Sequence, residues 1–405
     1  MSRAWRICLE IAYSTSAATA ISVAAKEKRL ETRMHRVAIT GTGIFTPEET
    51  ITNAELVASY NEYARRQNEQ HAGEIAAGTR EALPMSSEEF IVKASGIERR
   101  HVMDKSGVLD PDRMMPKLRS RADGELSIMA EIAVDAANKA MAQAGRTAAE
   151  IDAVICAASN HERAYPAIAV EIQQALGIKG FAFDMNVACS SATFGIQAAA
   201  DMIRCGSARA ILMVNPEITS GHQEWRDRDC HFIFGDVCTA VLMERVEGNE
   251  EGAWEVLSTR LLTEFSNNIR NNNGFLRRTH DQMADRRDMQ FMQEGRKVFK
   301  QVVPMVAELM LTHLADENMK PSDLSRMWLH QANKNMNDFI GQKVLGREPT
   351  REEQPNVLQD YANTSSAGSI IAFSKFSDDL PAGSLGVICS FGAGCSAGSV
   401  IVRRM

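Results

Sequence analysis

The chain has 405 residues, more than one hydrophobic core usually supports, so two domains or one fused pair of similar halves is expected. With 44% hydrophobic and 24% charged residues, the composition is that of a soluble globular protein. A formal net charge of −7 argues against a general nucleic-acid binder, and no apolar run approaches the roughly 20 residues that span a bilayer.

Residues 1–33 hold Arg3, Arg6 and a Ser/Ala/Thr-rich middle in the manner of a targeting peptide, but Glu10, Glu27 and Glu31 interrupt that pattern. The segment is expected to be a disordered or spurious extension, with Met34 as the natural start. From there the pattern alternates strand and helix. Arg36 to Gly41 reads as a strand, and Asn53 begins a capped helix with Glu55 near its first turn. Tyr60 to Ser87 is polar and helix-prone, a surface excursion or cap. Ile128 to Ala144 has helical spacing and closes at Gly145, Ala153 to Ala158 is a buried parallel strand, and Ile168 to Leu176 is a helix ended by Gly177. Phe181 to Val187 is a strand, Ser190 to Cys205 a helix ended by Gly206, and Ala210 to Val214 and Thr239 to Met243 are further strands.

After Val246 the pattern restarts. A strand near Trp254 to Leu261 is followed by the Asn- and Arg-rich Ser266 to Arg287, which reads as a solvated loop or as a contact for phosphate-bearing or acidic partners. Next come a helix from Lys297 to Leu314, a strand Met327 to Leu329, a helix around Ile371 to Phe376, and strands Leu385 to Cys389 and Ser399 to Arg403. Residues 34–247, with the excursion 60–87, and residues 253–405 therefore read as two α/β halves in tandem.

The eight cysteines, at 8, 156, 189, 205, 230, 238, 389 and 395, form no Cys-x-x-Cys pair and no zinc-spaced Cys/His cluster. They read as reduced thiols of an intracellular, cytoplasmic protein with no metal site. One is placed differently from the rest. Cys189, in Asn186-Val187-Ala188-Cys189-Ser190-Ser191-Ala192, falls where a strand turns into a helix, and a helix N-terminus favours the thiolate. Small neighbours leave room for a carbonyl to reach the sulfur and leave N–H groups to hold its oxygen. Alone, Cys189 would read as a buried apolar side chain. His330-Gln331-Ala332-Asn333 and Asn363-Thr364-Ser365-Ser366-Ala367-Gly368 change the odds.

With Ile39-Thr40-Gly41-Thr42-Gly43, Ser95-Gly96-Ile97-Glu98-Arg99-Arg100-His101, Asp184 to Ser190, Phe234-Gly235-Asp236 and Phe391-Gly392-Ala393-Gly394, these strings occur in family order. From Met34 to Met405 the chain resembles the beta-ketoacyl-acyl-carrier-protein synthase III family of the thiolase superfamily. The resemblance implies an α/β, five-layered α-β-α-β-α thiolase-like fold of two similar halves, with Cys189, His330 and Asn363 as the catalytic residues and no cofactor. Cys189 would take an acyl group from acyl-CoA. A malonyl thioester on acyl carrier protein would then lose CO₂, and two neutral donors, His330 and Asn363, would stabilise the enolate without titrating.

By the same resemblance, the backbone N–H groups of Cys189 and Ala393 form the oxyanion hole, Ala393 standing where the family usually has Gly. Phe391 shields the malonyl carboxylate, and Tyr165 crosses a homodimer interface to close the partner's acyl pocket. Phe90 replaces the family's Trp that stacks on the coenzyme A adenine, and Asn333 belongs to the substrate-binding string. A phosphate-binding Arg appears as Ala94, and a basic carrier-docking residue as Asn335 beside Lys334. The resemblance to longer members of the family implies a medium-chain primer, such as octanoyl, rather than only acetyl. The alternatives are type III polyketide formation, head-to-head acyl-CoA condensation, quinolone-type signal synthesis, or a non-catalytic relative.

Overall fold

The computed structural model describes residues 34–279 and 286–405. The expectation for residues 1–33 falls outside the described residues, as do residues 280–285 of the Asn- and Arg-rich loop. In chain order the described strands are β1 (Arg36–Phe45), β2 (Thr50–Thr52), β3 (Arg99–His101), β4 (Ala153–Ala157), β5 (Phe181–Met185), β6 (Ala210–Glu217), β7 (Val237–Val246), β8 (Trp254–Thr263), β9 (Ile269–Arg270), β10 (Met292–Gln293), β11 (Leu324–Leu329), β12 (Leu385–Gly392) and β13 (Ser396–Arg404). Nine of them form one mixed sheet in the order β11-β12-β13-β8-β1-β7-β6-β4-β5, while β2 with β3 and β9 with β10 make two short ribbons.

The period of two along a strand decides the layering. In β4, Ala153, Ile155 and Ala157 point into one apolar cluster, whereas Val154 and Cys156 point into another. The first cluster is the middle of the molecule. It gathers Ile196 of the helix Ser191–Arg204 and Phe373 of the helix Gly368–Lys375 together with Ile211 and Val241 from the early strands and Trp328 and Val400 from the late ones. The outer face of the early strands is covered by the helices Ile128–Gln143 and Ile168–Leu176. The helices Gly295–Asp316 and Lys334–Leu345 cover the outer face of the late strands. The stack is therefore α-β-α-β-α, as expected.

The strands before residue 247 and those after residue 253 occupy opposite ends of the sheet order, and they meet at β1 and β8 through Ala38↔Glu255 and Ile39↔Trp254. Backbone hydrogen bonds across so short a joint contribute about 1 kcal/mol each, while each fully buried Ile or Phe of the middle layer contributes roughly 1.5–3 kcal/mol. Packing of the two central helices, more than strand pairing, holds the ends together.

One segment differs from the sequence reading. The helix Gly295–Asp316 is long and apolar enough to cross a membrane by length and composition, contrary to the expectation that no such run exists. Its Val302, Val306 and Met310, one helical turn apart, are buried in the late-strand core, which explains its apolar face. The excursion is ordered. Thr52 and Glu55 form a capping box at the head of the helix Asn53–Gln70, whose Tyr60 and Ala64 are buried. The chain then returns as a strap. Asn68 takes up both the N–H and the carbonyl of Leu83, at 2.8 and 3.0 Å, and Asn61 does the same for Ser86, at 2.8 and 3.1 Å.

Candidate active site

After β5 the chain makes a single 3₁₀ turn, Ala188–Ser190, before the helix Ser191–Arg204, and this turn carries Cys189. Ala188 sits at φ 48°, a left-handed conformation that is strained for a residue with a Cβ. Its N–H is held by Asn186 Oδ1 at 2.9 Å, its carbonyl accepts from Ser191 Oγ at 2.8 Å, and that same oxygen takes the Val187 N–H at 2.9 Å. Gly392 presses against the nucleophile from β12: a Cβ there would lie 2.5 Å from Cys189 Cβ, so the position tolerates only glycine.

The electrostatics correct one expectation. The Cys189 thiol is pushed up to about 11, chiefly by burial and further by the Glu217 carboxyl. The Ser365 hydroxyl, which donates to Sγ at 3.4 Å, and the backbone N–H groups of Ala393 and Cys189 act in the thiolate's favour and do not prevail. The helix start supplies donors, but loss of water outweighs them. Both N–H groups expected to form an oxyanion hole are thus directed at the sulfur's surroundings.

His330 follows β11. Its backbone N–H donates to Cys389 O at 2.7 Å, and its carbonyl accepts from Asn337 Nδ2 at 2.9 Å. The ring stacks edge-on against Phe391, centroids 5.2 Å apart. Burial pushes the imidazole down to about 3, with the Ser365 backbone opposing, and Nδ1 is buried with no hydrogen-bond partner among the described residues. At neutral pH this is an uncharged ring.

Asn363 is fixed by the Phe234-Gly235 string: its N–H donates to Ile233 O at 2.9 Å and its carbonyl accepts from Gly235 N–H at 3.1 Å. Its side-chain oxygen accepts the Ser365 N–H at 2.8 Å, which leaves the NH₂ end as the uncommitted donor. Ser365 itself sits at φ 49°, and of the six described non-glycine residues with positive φ, four (Ala188, Ala362, Ser365 and Cys395) lie within two residues of Cys189, Asn363 or Ala393. Each such residue costs on the order of 1–3 kcal/mol, so the strain is concentrated at one place.

Cys189, His330, Asn363, Phe391 and Asn333 all line one cavity of about 280 Å³, whose remaining wall includes Phe232, Phe234, Phe291, Val298 and Phe299. Not every expected contact is free or lines this cavity. Asn333 caps the helix Lys334–Leu345 through the Met336 N–H and donates to Ala94 O at 2.6 Å, so both ends of its amide have a partner. Tyr165 is 85% exposed and outside the cavity wall. Phe90 stands one ring behind the wall, edge-on to Phe232 at 5.6 Å. Over its ring lies the Arg228 guanidinium, 3.7 Å from the centroid, its Nε tied to Met85 O at 2.8 Å. Asn335 donates to Lys93 O, and Lys334 pairs with Asp338.

Ser365, Gly392, Arg228 and Glu217 were not singled out from the sequence, although Ser365 and Gly392 lie inside quoted strings. Among the described residues Cys156, His161 and Asp184 present ligand-type atoms within 4.8 Å of one another, but Asp184 already accepts the Ile168 and Ala169 N–H groups. The seven described cysteines are free thiols.

Residues 183–264 match the family model described as 3-oxoacyl-[acyl-carrier-protein] synthase III, and residues 314–404 match its C-terminal counterpart. The chain is 59% identical over 347 residues to a beta-ketodecanoyl-[acyl-carrier-protein] synthase of Pseudomonas aeruginosa, covering 85% of this chain and 99% of that one. It is 30% identical over 374 residues to a beta-ketoacyl-[acyl-carrier-protein] synthase III of Acidiphilium cryptum, covering 91% and 100%. The crystal structure of the Aquifex aeolicus 3-oxoacyl-[acyl-carrier-protein] synthase III superposes with a TM-score of 0.72 at 24% identity, covering 91% and 99%. A thiol, a neutral imidazole and an amide donor on one cavity wall, in a five-layered fold with relatives of this similarity, place the chain in the beta-ketoacyl-acyl-carrier-protein synthase III family of condensing acyltransferases.

Proposed function

We propose that the chain performs a decarboxylating condensation of a medium-chain acyl-CoA, octanoyl in size, with malonyl-acyl-carrier protein in fatty acid biosynthesis. The observation that carries this reading is the convergence of Cys189, His330 and Asn363 on a cavity whose other walls are aromatic and aliphatic. Cys189 Sγ attacks the acyl-CoA carbonyl, the thiol proton leaves with coenzyme A, and the acyl group is held as an enzyme thioester. The malonyl thioester then loses CO₂, and the negative charge that develops on its oxygen meets the imidazole of His330 and the NH₂ of Asn363. A buried neutral imidazole suits this task because its N–H can donate a hydrogen bond yet is far too weak an acid to protonate the enolate, as an imidazolium would. The enolate carbon attacks the acyl carbonyl, whose oxygen faces the N–H groups of Cys189 and Ala393, and collapse frees the beta-ketoacyl product and the Cys189 thiolate, which takes one proton from solvent to restore the thiol.

The primer length rests on the Pseudomonas relative, whose ten-carbon ketoacyl product corresponds to an eight-carbon primer extended by two. The apolar wall of Phe232, Phe234 and Phe291 supports a hydrocarbon occupant. The same reading includes acyl carrier protein as partner, a cytoplasmic location and a homodimer. In favour of the dimer, β5 is an edge strand with Phe181 40% exposed, and the loop bearing exposed Tyr165 runs into a helix whose first N–H groups are held by Asp184 of β5.

The test offers the purified protein acyl-CoAs of graded length with malonyl-acyl-carrier protein and identifies products by mass. A ten-carbon ketoacyl product dominating the profile is expected. Absence of an acyl group on Cys189, or an acyl group that persists in Cys189→Ala, overturns the reading.

A further inference from the structure

Glu217, the last residue of β6, is 1% exposed and belongs to no motif that pointed to the chemistry. A buried carboxyl is costly unless its oxygens are taken up by donors, and here four donors arrive from two loops. From the loop after β4, the Ser159 N–H reaches Oε1 at 2.9 Å and the Ser159 hydroxyl reaches Oε2 at 2.5 Å. From the turn after Asn363, the Ser366 N–H reaches Oε1 at 3.3 Å, and the Ser366 hydroxyl also donates to Oε1.

Both loops lead to the site. The Ser159 carbonyl accepts from Asn186 Nδ2 at 2.8 Å, and Asn186 Oδ1 holds the N–H of strained Ala188, the residue before the nucleophile. Ser366 adjoins Ser365, whose N–H fixes the Asn363 amide and whose hydroxyl touches Cys189 Sγ. One arm therefore runs Glu217, Ser159, Asn186, Ala188, Cys189, and the other runs Glu217, Ser366, Ser365, Asn363.

We propose that Glu217 is the positioning residue that sets the nucleophile turn and the Asn363 turn in register, so that the acyl group on Cys189 and the enolate held by Asn363 meet. Two oxygens on a two-carbon stem can accept all four hydrogen bonds from the two loops at once, which no apolar residue and no single hydroxyl can do. Burial pushes this carboxyl up to about 7 against the four hydrogen bonds, and the carboxyl in turn raises the thiol it helps to place. The inference rests on the two-step reading of the reaction, because register matters only if both turns act on joined substrates.

The experiment separates the steps by rapid mixing. Acylation of Cys189 by octanoyl-CoA is followed by intact mass, for amplitude and rate, and the preformed acyl-enzyme is then mixed with malonyl-acyl-carrier protein. If the wild-type protein forms no acyl-enzyme, the proposed function fails, and the Glu217 assignment falls with it. With wild-type acylation in hand, Glu217→Gln is expected to keep full amplitude while both rates fall about tenfold or more, as a loosened geometry should cause. Ser159→Ala should slow acylation more than condensation, and Ser366→Ala should do the reverse. Wild-type rates in Glu217→Gln, a lowered amplitude with unchanged rates, or equal effects of the two serine variants on both steps each overturn the assignment. Should Glu217→Gln fail to fold, the opposed serine effects decide alone.

Discussion

Two short helical turns pack together in the middle of the molecule, Ala188–Ser190 ahead of the helix Ser191–Arg204 and Ser365–Ala367 ahead of the helix Gly368–Lys375. Each includes a non-glycine residue near φ 50°, Ala188 in one and Ser365 in the other. Their side chains are fixed by different means. Cys189 is defined by space: Gly392 lies against its Cβ, and burial sets its ionisation. Asn363 is defined by hydrogen bonds, with backbone partners on both sides and Ser365 holding its amide oxygen. The difference teaches that the Cys189 side chain should be most sensitive to a change of volume beside it, and the Asn363 side chain to a change of donors or acceptors.

The largest effect is expected from Gly392→Ala, which puts a methyl group 2.5 Å from Cys189 Cβ. Acylation should fall by about 100-fold, with a loss of stability of roughly 1–3 kcal/mol from overpacking. Intact-mass kinetics and denaturant melts measure the two. Asn363→Ala should leave acylation nearly intact and slow decarboxylation of malonyl-acyl-carrier protein about 100- to 1000-fold, the usual loss for one oxyanion donor. Equal loss of both steps would erase the contrast between the turns.

Smaller effects sharpen it. Because the Cys189 pKa is raised to about 11, its iodoacetamide labelling should climb steadily from pH 8 to pH 10 instead of levelling near the ordinary thiol value, as peptide mass mapping would record. Removing the favourable hydroxyl by Ser365→Ala should move that curve to still higher pH. Least of all, Arg228→Ala, away from both turns, should raise KM for acyl-CoA about threefold to tenfold through lost cation and stacking contact and leave kcat unchanged.

Much of this was legible in residue order. The run Ala153 to Ala158 reads as a doubly buried strand because every residue in it is apolar or small, and the helix after Cys189 is bounded by Ser190 and Gly206, close to the observed Ser191–Arg204. The resemblance brought Cys189, His330 and Asn363 together, and all three line one cavity. The rest depended on distances that no sequence spacing encodes. Whether the helix dipole or burial governs a thiol is decided by how much water is excluded, and Phe391 and Gly392, far along the chain, wall the cavity in which Cys189 lies. Asn333 occupies a motif position yet serves as a helix cap, because Asn fits both roles equally well. Arg228 lies 138 positions beyond Phe90, so their stacking could not be seen until the strap through Met85 brought them together.

The joint between β1 and β8 bears on how the molecule opens. With two residue pairs of ladder at the junction and a shared layer of helices beside it, neither end of the sheet can detach without exposing the other's interior. Amides of the helices Ser191–Arg204 and Gly368–Lys375 should therefore exchange with deuterium at one common free energy, as a single cooperative unit drawn from both ends of the sequence. Thiol and amide donor would then be lost together on partial unfolding, so that a loosened molecule is silent and does not load acyl groups it cannot condense.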